Sequence, residues 1–317
     1  MLDLFDEYKG TFDEANLLSA EAIADLNNTD FRDGDIGEWA ENTDGSGTCA
    51  YDFSDIGGAD DKQGKLTSDA DSYLYADLQS AYWNGLGGAA PNPDTLYKMT
   101  ANVYIPADNN TLKDIKIFTY GFDEDYTVEY TLVDATWTPI VLWFYLATDV
   151  VGAVRIGFDG DPTNGDILFF DDISIKEVDI SWVPYGSNVM SIDSDALKFE
   201  YKSNSGGAYL ALKDANDLSA DLVVGKRYTV TGRMKVAVGE DAKPTVYRGI
   251  GGQFAYGDVV TSTAFVSFVI NFIAGNATTC YLSPGNMSLG ETAWLDSLEI
   301  HGYGKKTSEK LLGGGIS

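Results

Sequence analysis

Gly165-Asp166-Ile167-Leu168-Phe169-Phe170-Asp171-Asp172-Ile173-Ser174-Ile175 has a close counterpart near the C-terminus, Thr292-Ala293-Trp294-Leu295-Asp296-Ser297-Leu298-Glu299-Ile300. Alternate side chains of a strand share a face, so a strict period of two puts Phe169, Asp171, Ile173 and Ile175 on one side. It does the same with Trp294, Asp296, Leu298 and Ile300. Each strand then carries an acid on its apolar face. A carboxylate turned toward a core needs backbone N–H groups, a basic side chain or a cation to satisfy it.

A second pair of stretches repeats in the same order. Tyr97, Met99, Ala101, Val103 and Ile105 alternate with polar residues, and Tyr228-Thr229-Val230-Thr231-Gly232-Arg233-Met234-Lys235-Val236 alternates as cleanly. Tyr97 and Tyr228 stand 131 positions apart, Asp171 and Asp296 stand 125 apart. Offsets that differ by only a loop's worth of residues indicate two homologous domains rather than a short-period solenoid. Further strands are expected at 115–120, 126–132, 140–146, 154–158, 197–201, 209–212, 263–272 and 279–282, with Gly, Asn and Asp between them. The expected fold is all-β: two tandem antiparallel β-sandwich (jelly-roll) domains with a short N-terminal arm and a flexible C-terminal tail. The expected boundaries are 1–27 for the arm, 28–178 and 179–303 for the domains, and 304–317 for the tail. Within the arm, Phe12 to Leu26 has a helical spacing of apolar residues.

Composition narrows the function. A 44% hydrophobic, 13% aromatic chain of 317 residues has ample material for packed cores. A net charge of −28 excludes a nucleic-acid or anionic-membrane partner, because phosphate recognition needs a basic footprint. No run approaches the roughly 18 apolar residues of a membrane span, and the acidic start lacks a signal peptide's basic and apolar regions, so synthesis in the cytoplasm is expected. Cys49 and Cys280 are too few for a disulfide framework, and His301 is the sole histidine, which argues against histidine metal clusters and a Ser-His-Asp triad. There is no P-loop, dinucleotide fingerprint or nucleophile elbow. The chain reads as non-enzymatic.

Asn28-x-x-Phe31-x-x-Gly34-Asp35-x-x-x-Trp39 opens the first half and Asp171-Asp172-Ile173-Ser174-Ile175 closes it. The second half holds Gly206-Gly207-Ala208-Tyr209, Gly225-Lys226-Arg227-Tyr228-Thr229-Val230-Thr231, Thr263-Ala264-Phe265 and Leu295-Asp296-Ser297-Leu298. This order resembles the jelly-roll carbohydrate-binding modules found beside xylanases and cellulases, and their relatives in virion proteins of tailed phages. The resemblance implies a virion structural protein (capsid decoration, head-fibre or tail-associated) at the particle surface, contacting other virion subunits through its termini and host glycans through its loops. The alternative it implies is an extracellular tandem carbohydrate-binding module of a polysaccharide-degrading system.

Such modules also carry a structural Ca²⁺ between an early turn and the closing acid pair. Here Asp30 and Asp33 with Asp171 and Asp172 would supply it in the first domain, the alternative being carboxylates that cap loop N–H groups. Phe31-Arg32 and Asp296-Ser297 depart from the family's Phe-Glu and Asp-Asp. The acidic loop from Asp159 to Asp166 lacks the closing glutamate of an EF-hand. Sugar recognition on a sandwich uses exposed rings assisted by amides and carboxylates. Tyr82, Trp83 and Asn84, with Trp39 behind them, are the candidates in the first half, and Tyr247 and Tyr256 in the second. Trp137, Trp143 and Trp294 are expected in the core.

Overall fold

The computed structural model describes residues 2–3, 18–21, 39–52, 62–69, 73–80, 91–93, 95–109, 114–122, 124–147, 150–178, 182–184, 188–202, 210–212, 224–247, 254–274 and 281–302. The chain divides into two compact units, Ser19–Val178 and Asp179–Ser317, the latter joined by Met1–Leu18.

The first unit contains β2 (Leu18–Glu21), β3 (Ala40–Thr43), β4 (Thr48–Asp52), β5 (Gln63–Thr67), β6 (Leu74–Gln79) and β7 (Thr95–Tyr104). It continues through β8 (Asp114–Tyr120), β9 (Thr127–Thr131), β10 (Thr138–Leu146), β11 (Ala153–Phe158) and β12 (Ile167–Val178). One sheet runs β10-β7-β12-β5-β4, with β2 added against β12, and the other runs β3-β6-β11-β8-β9. The second unit contains β1 (Leu2–Asp3), β13 (Trp182–Pro184), β14 (Val189–Asp193), β15 (Ala196–Glu200), β16 (Leu210–Leu212) and β17 (Arg227–Val236). After these come β18 (Thr245–Tyr247), β19 (Phe254–Tyr256), β20 (Val266–Ile273), β21 (Tyr281–Ser283) and β22 (Thr292–Gly302). Its sheets run β20-β17-β22-β15-β14, with β1 against β22, and β13-β16-β21-β18-β19. The two orders correspond strand for strand.

Alternation explains the cores. In the first unit Tyr97, Met99, Ala101 and Val103 of β7 are buried, as are Leu74, Ala76 and Leu78 of β6 and Ile115 and Ile117 of β8, while the intervening residues face outward. Each large apolar side chain so buried contributes about 1.5–3 kcal/mol. The same ring pair anchors both units: Tyr97 stacks on Phe144 directly across the ladder at 5.4 Å, and Tyr228 on Phe272 at 5.7 Å. Stacked cross-strand rings fix the register of a central pair as well as burying area.

The repeated acid-bearing strands occupy equivalent central places, but their acids do not point inward. Asn102 lies opposite Asp171 and Thr100 opposite Ser174, so two residues, Asp172 and Ile173, face the single Ala101. In the second unit Arg233 lies opposite Asp296 and Thr231 opposite Glu299, leaving Ser297 and Leu298 against Gly232. Asp172 and Ser297 take the left-handed conformation at φ 50° and 52°. The extra residue of each β-bulge shifts the side-chain phase by one. Phe170, Ile173 and Ile175 therefore enter the first core, whereas Phe169 and Asp171, both still buried, lie on the opposite face with Tyr104 and Asn102. Leu295, Leu298 and Ile300 enter the second core, and Trp294 and Asp296 face out. A reading in strict twos misses this, because a bulge leaves no signature in alternation alone. The difference between the two sequence offsets falls in the connections before β12 and β22.

Two other expectations change. Leu18–Glu21, inside the stretch expected to be helical, is a strand on β12, and Leu2–Asp3 pairs with Gly302 and His301 of β22. Leu-Ser-Ala-Glu alternates as well as it spirals, and an available strand partner decides between the two. Trp143 and Trp294 are half-buried on outer faces rather than in cores, Trp143 beneath the Lys98 ammonium at 5.3 Å. Trp137, also half-buried, packs against Tyr104 at 5.5 Å. Lysine stems cover such rings while the ammonium stays wet.

A β-branched residue is costly at positive φ. Ser297→Val is expected to destabilise the protein by roughly 1–3 kcal/mol, whereas Ser297→Gly leaves the denaturation midpoint unchanged or higher. Equal midpoints for the two variants in chemical denaturation would show that the bulge does not hold that conformation.

Candidate functional site

The outer face of the first unit's β3-β6-β11-β8-β9 sheet carries a run of aromatic and hydrogen-bonding groups. Its centre is β11, Ala153-Val154-Arg155-Ile156-Gly157-Phe158, whose even-numbered residues are core. The odd ones face outward, and one of them is an arginine.

Arg155 lies opposite Asp77 of β6 on one side and Phe118 of β8 on the other. Its Nε and Nη2 both donate to Asp77 Oδ2, at 2.9 and 2.8 Å. Tyr120 of β8 spreads its ring over the guanidinium, 3.8 Å from Cζ to centroid, and Arg155 is only 8% exposed. Tyr120 itself is 54% exposed, so one ring face is held by the cation and the other is open to solvent. Both charges are largely shielded from water, so each depends on the other for its hydrogen bonds. Asp77 Oδ1 is buried and has no hydrogen-bond partner among the described residues.

Beside this pair the rings continue across the sheet. Tyr75 meets Phe118 edge-on at 4.9 Å, and Tyr73 stacks on Tyr75 at 5.5 Å. Lys116 reaches over both Tyr75 and Phe118, at 5.0 and 5.3 Å, and pairs with Asp159 at 3.6 Å. Tyr75 can cross β11 because residue 157 is glycine: a Cβ there would lie 2.5 Å from the Tyr75 ring and 2.3 Å from the Leu74 carbonyl oxygen. A cleft of about 310 Å³ opens along the Arg155 end, lined by Asn42, Asp77, Gln79, Tyr120, Gly152 and Arg155 among others. The face thus offers ring surfaces flanked by two amides and a buried ion pair.

The residues expected from sequence fall elsewhere. Trp39 is 3% exposed and packs against Phe170, 5.3 Å between centroids, so it is a core ring rather than a ligand platform. Tyr82, Trp83 and Asn84, like Asp30 and Asp33, lie outside the described residues. Tyr247 and Tyr256 belong to the second unit and come together through Phe254, whose ring is 5.1 Å from Tyr247 and 6.0 Å from Tyr256. Tyr256 is 53% exposed beneath Lys243 Nζ at 4.3 Å.

For the calcium candidates, Asp171 Oδ1 accepts from the Asp172 amide at 2.8 Å, and Asp172 Oδ2 accepts from Asn102 Nδ2 at 2.9 Å. The pair therefore caps its own bulge. Asp166 of the acidic loop is buried and takes the Thr163 amide and hydroxyl at 2.7 and 2.8 Å, the work of a turn cap. Among the described residues no group of three or more His, Cys, Asp or Glu is placed to hold a metal ion.

Sequence reading passed over Tyr75, Asp77, Arg155 and Tyr120. The available signals were the alternation Tyr73-Leu74-Tyr75-Ala76-Asp77-Leu78-Gln79 and an arginine inside the apolar run Val154 to Phe158.

Similar architectures occur among solved structures. The CBM22-1–CBM22-2 tandem domain of Paenibacillus barcinonensis Xyn10C is 10% identical, with a TM-score of 0.44 over 90% of this chain and 100% of that one. The C-terminal family 22 carbohydrate-binding module of Clostridium thermocellum Xyn10B is 11% identical, with a TM-score of 0.36 over 50% of this chain and 96% of that one. The enzymatically active domain of bacteriophage CBA120 tailspike protein 4 is 8% identical, with a TM-score of 0.35 over 50% of this chain and 21% of that one. No protein-family model and no curated protein matches the sequence. The β-sandwich assignment rests on the strand registers above.

Removing one partner of a covered ion pair leaves the other charge stranded. Arg155→Met is expected to cost roughly 3–5 kcal/mol, and the double variant Arg155→Met/Asp77→Leu to recover much of it. Urea denaturation of the four proteins in the cycle measures this, and an Arg155→Met midpoint equal to wild type would show that the pair is not covered.

Proposed function

We propose that this chain is a non-enzymatic carbohydrate-binding protein whose first unit receives sugar on the Tyr73–Tyr75–Phe118–Tyr120 face. The observation that supports it most directly is Tyr120, fixed from beneath by Arg155 and open above. A pyranose presents an apolar C–H face edged by hydroxyls. That shape calls for a rigid ring with hydrogen-bonding amides at its rim, which Tyr120, Asn42 and Gln79 supply. The ring is immobilised before any ligand arrives, so less side-chain entropy is lost on binding.

The setting we favour is the surface of a tailed-phage particle, where the chain would serve as a structural component and touch host glycans. High acidity keeps a densely repeated protein soluble and repels nucleic acid. A tandem binding module of a secreted polysaccharide-degrading system would use the same face.

The test is titration of the full chain with soluble xylan, β-1,4-galactan and bacterial surface polysaccharides. Tyr120→Ala and Tyr75→Ala are each expected to weaken binding about tenfold with unchanged circular dichroism. Undiminished affinity in both variants, or no binding to any glycan, would overturn the assignment.

A further inference from the structure

On the outer face of the second unit's β20-β17-β22-β15-β14 sheet, three cations gather round one tryptophan, in a chain whose net charge is −28. Trp294 of β22 lies directly between Lys198 of β15 and Lys235 of β17 in the ladder. The two ammonium groups lie 5.7 and 4.8 Å from its ring centroid. Lys235 also reaches over Phe265 at 4.9 Å, as does Arg233 at 5.5 Å.

Two carboxylates face this group. Asp296 pairs with Arg233. Asp193 accepts the Trp294 indole N–H at 2.8 Å. It is held below the usual carboxylate range by that bond, against the opposing effect of burial, with help from Ser194 and the two lysines. It sits at the start of a two-residue turn, Ser194-Asp195, with φ of 54° and 58° at both central positions, which fixes its place beside the indole. Neither lysine forms an ion pair among the described residues. Three cations against two acids leave positive charge in excess.

The fold does not require this. At the corresponding positions of the first unit Phe169 replaces Trp294, Tyr104 replaces Lys235, Asn102 replaces Arg233, and the one lysine, Lys65, is neutralised by Asp52 at 2.9 Å. The grouping of two lysines and an arginine round one indole is therefore absent from these positions of the first unit.

We propose that the Lys198–Trp294–Lys235–Arg233 face is a second binding site, for an acidic carbohydrate bearing carboxylate or sulfate groups, independent of the first unit's cleft. Three strands span about 10 Å, the size of one or two sugar residues. A small charge surplus suits an anion on each sugar, where a nucleic acid demands neutralisation of many phosphates.

The full chain is titrated at low and high salt with polygalacturonate, dextran sulfate, neutral dextran and poly-L-glutamate. Lys198→Gln/Lys235→Gln is compared with wild type and with the charge-matched Lys202→Gln/Lys226→Gln. Binding to polygalacturonate or dextran sulfate but not dextran, weakened by salt and reduced about tenfold only by the first double variant, supports the site. The polymer bound identifies the anion as carboxylate or sulfate. Absence of binding to both acidic polysaccharides, equal loss in the two double variants, or equally tight binding of poly-L-glutamate overturns it.

Discussion

In both units one residue too many in the last long strand decides what faces the core. Asp172 and Ser297 adopt left-handed backbone, the ladder slips by one, and the apolar set on either side of the slip is brought back into phase. Phe170 and Ile173, three apart, share the first core with Ile175, and the acids at 171 and 296 turn to the opposite face of the sheet, where Asp171 is still buried and Asp296 half-buried. The neighbouring strand accommodates the extra residue with a small side chain, Ala101 in one unit and Gly232 in the other. At Gly232 a Cβ would lie 2.8 Å from Leu298. The repeated acid is thus part of the bulge's own hydrogen bonding, through the Asp172 amide in one copy and the Ser297 hydroxyl in the other.

That shared scaffold leaves side chains free to diverge. Core positions repeat chemically, as with Tyr97 and Tyr228 or Phe144 and Phe272, because close packing penalises changes of volume there. Outward positions bear no such constraint. The first unit places Arg155, Asp77 and a run of tyrosines over one sheet, and the second gathers lysines and Trp294 over the other. Two chemically different outward faces on one duplicated frame follow from the pleat: every second residue can change without disturbing the core.

Glycines act where close approach is needed. Gly157 lets Tyr75 cross β11, and Gly64 lets the Phe170 ring lie over β5, where a Cβ would come within 2.4 Å of it. In each case the ring covers backbone that a side chain would otherwise shield, joining neighbouring strands by an aromatic contact.

Local alternation was enough to read the all-β class, most strands, and the duplication, because burial of one face imposes a period of two wherever a strand runs straight. It could not reveal the bulges, since an inserted residue changes phase without changing composition. It also misjudged the rings: Trp39 looked like a ligand platform and is core, while Trp143 and Trp294 looked like core and lie beneath lysines. Whether an aromatic is buried depends on what the opposite sheet or the next strand places over it, and those partners are distant in sequence. The Arg155–Asp77–Tyr120 arrangement was invisible for the same reason. Its members lie on three strands, and only cross-strand register brings residues 77, 120 and 155 within a few ångströms of one another.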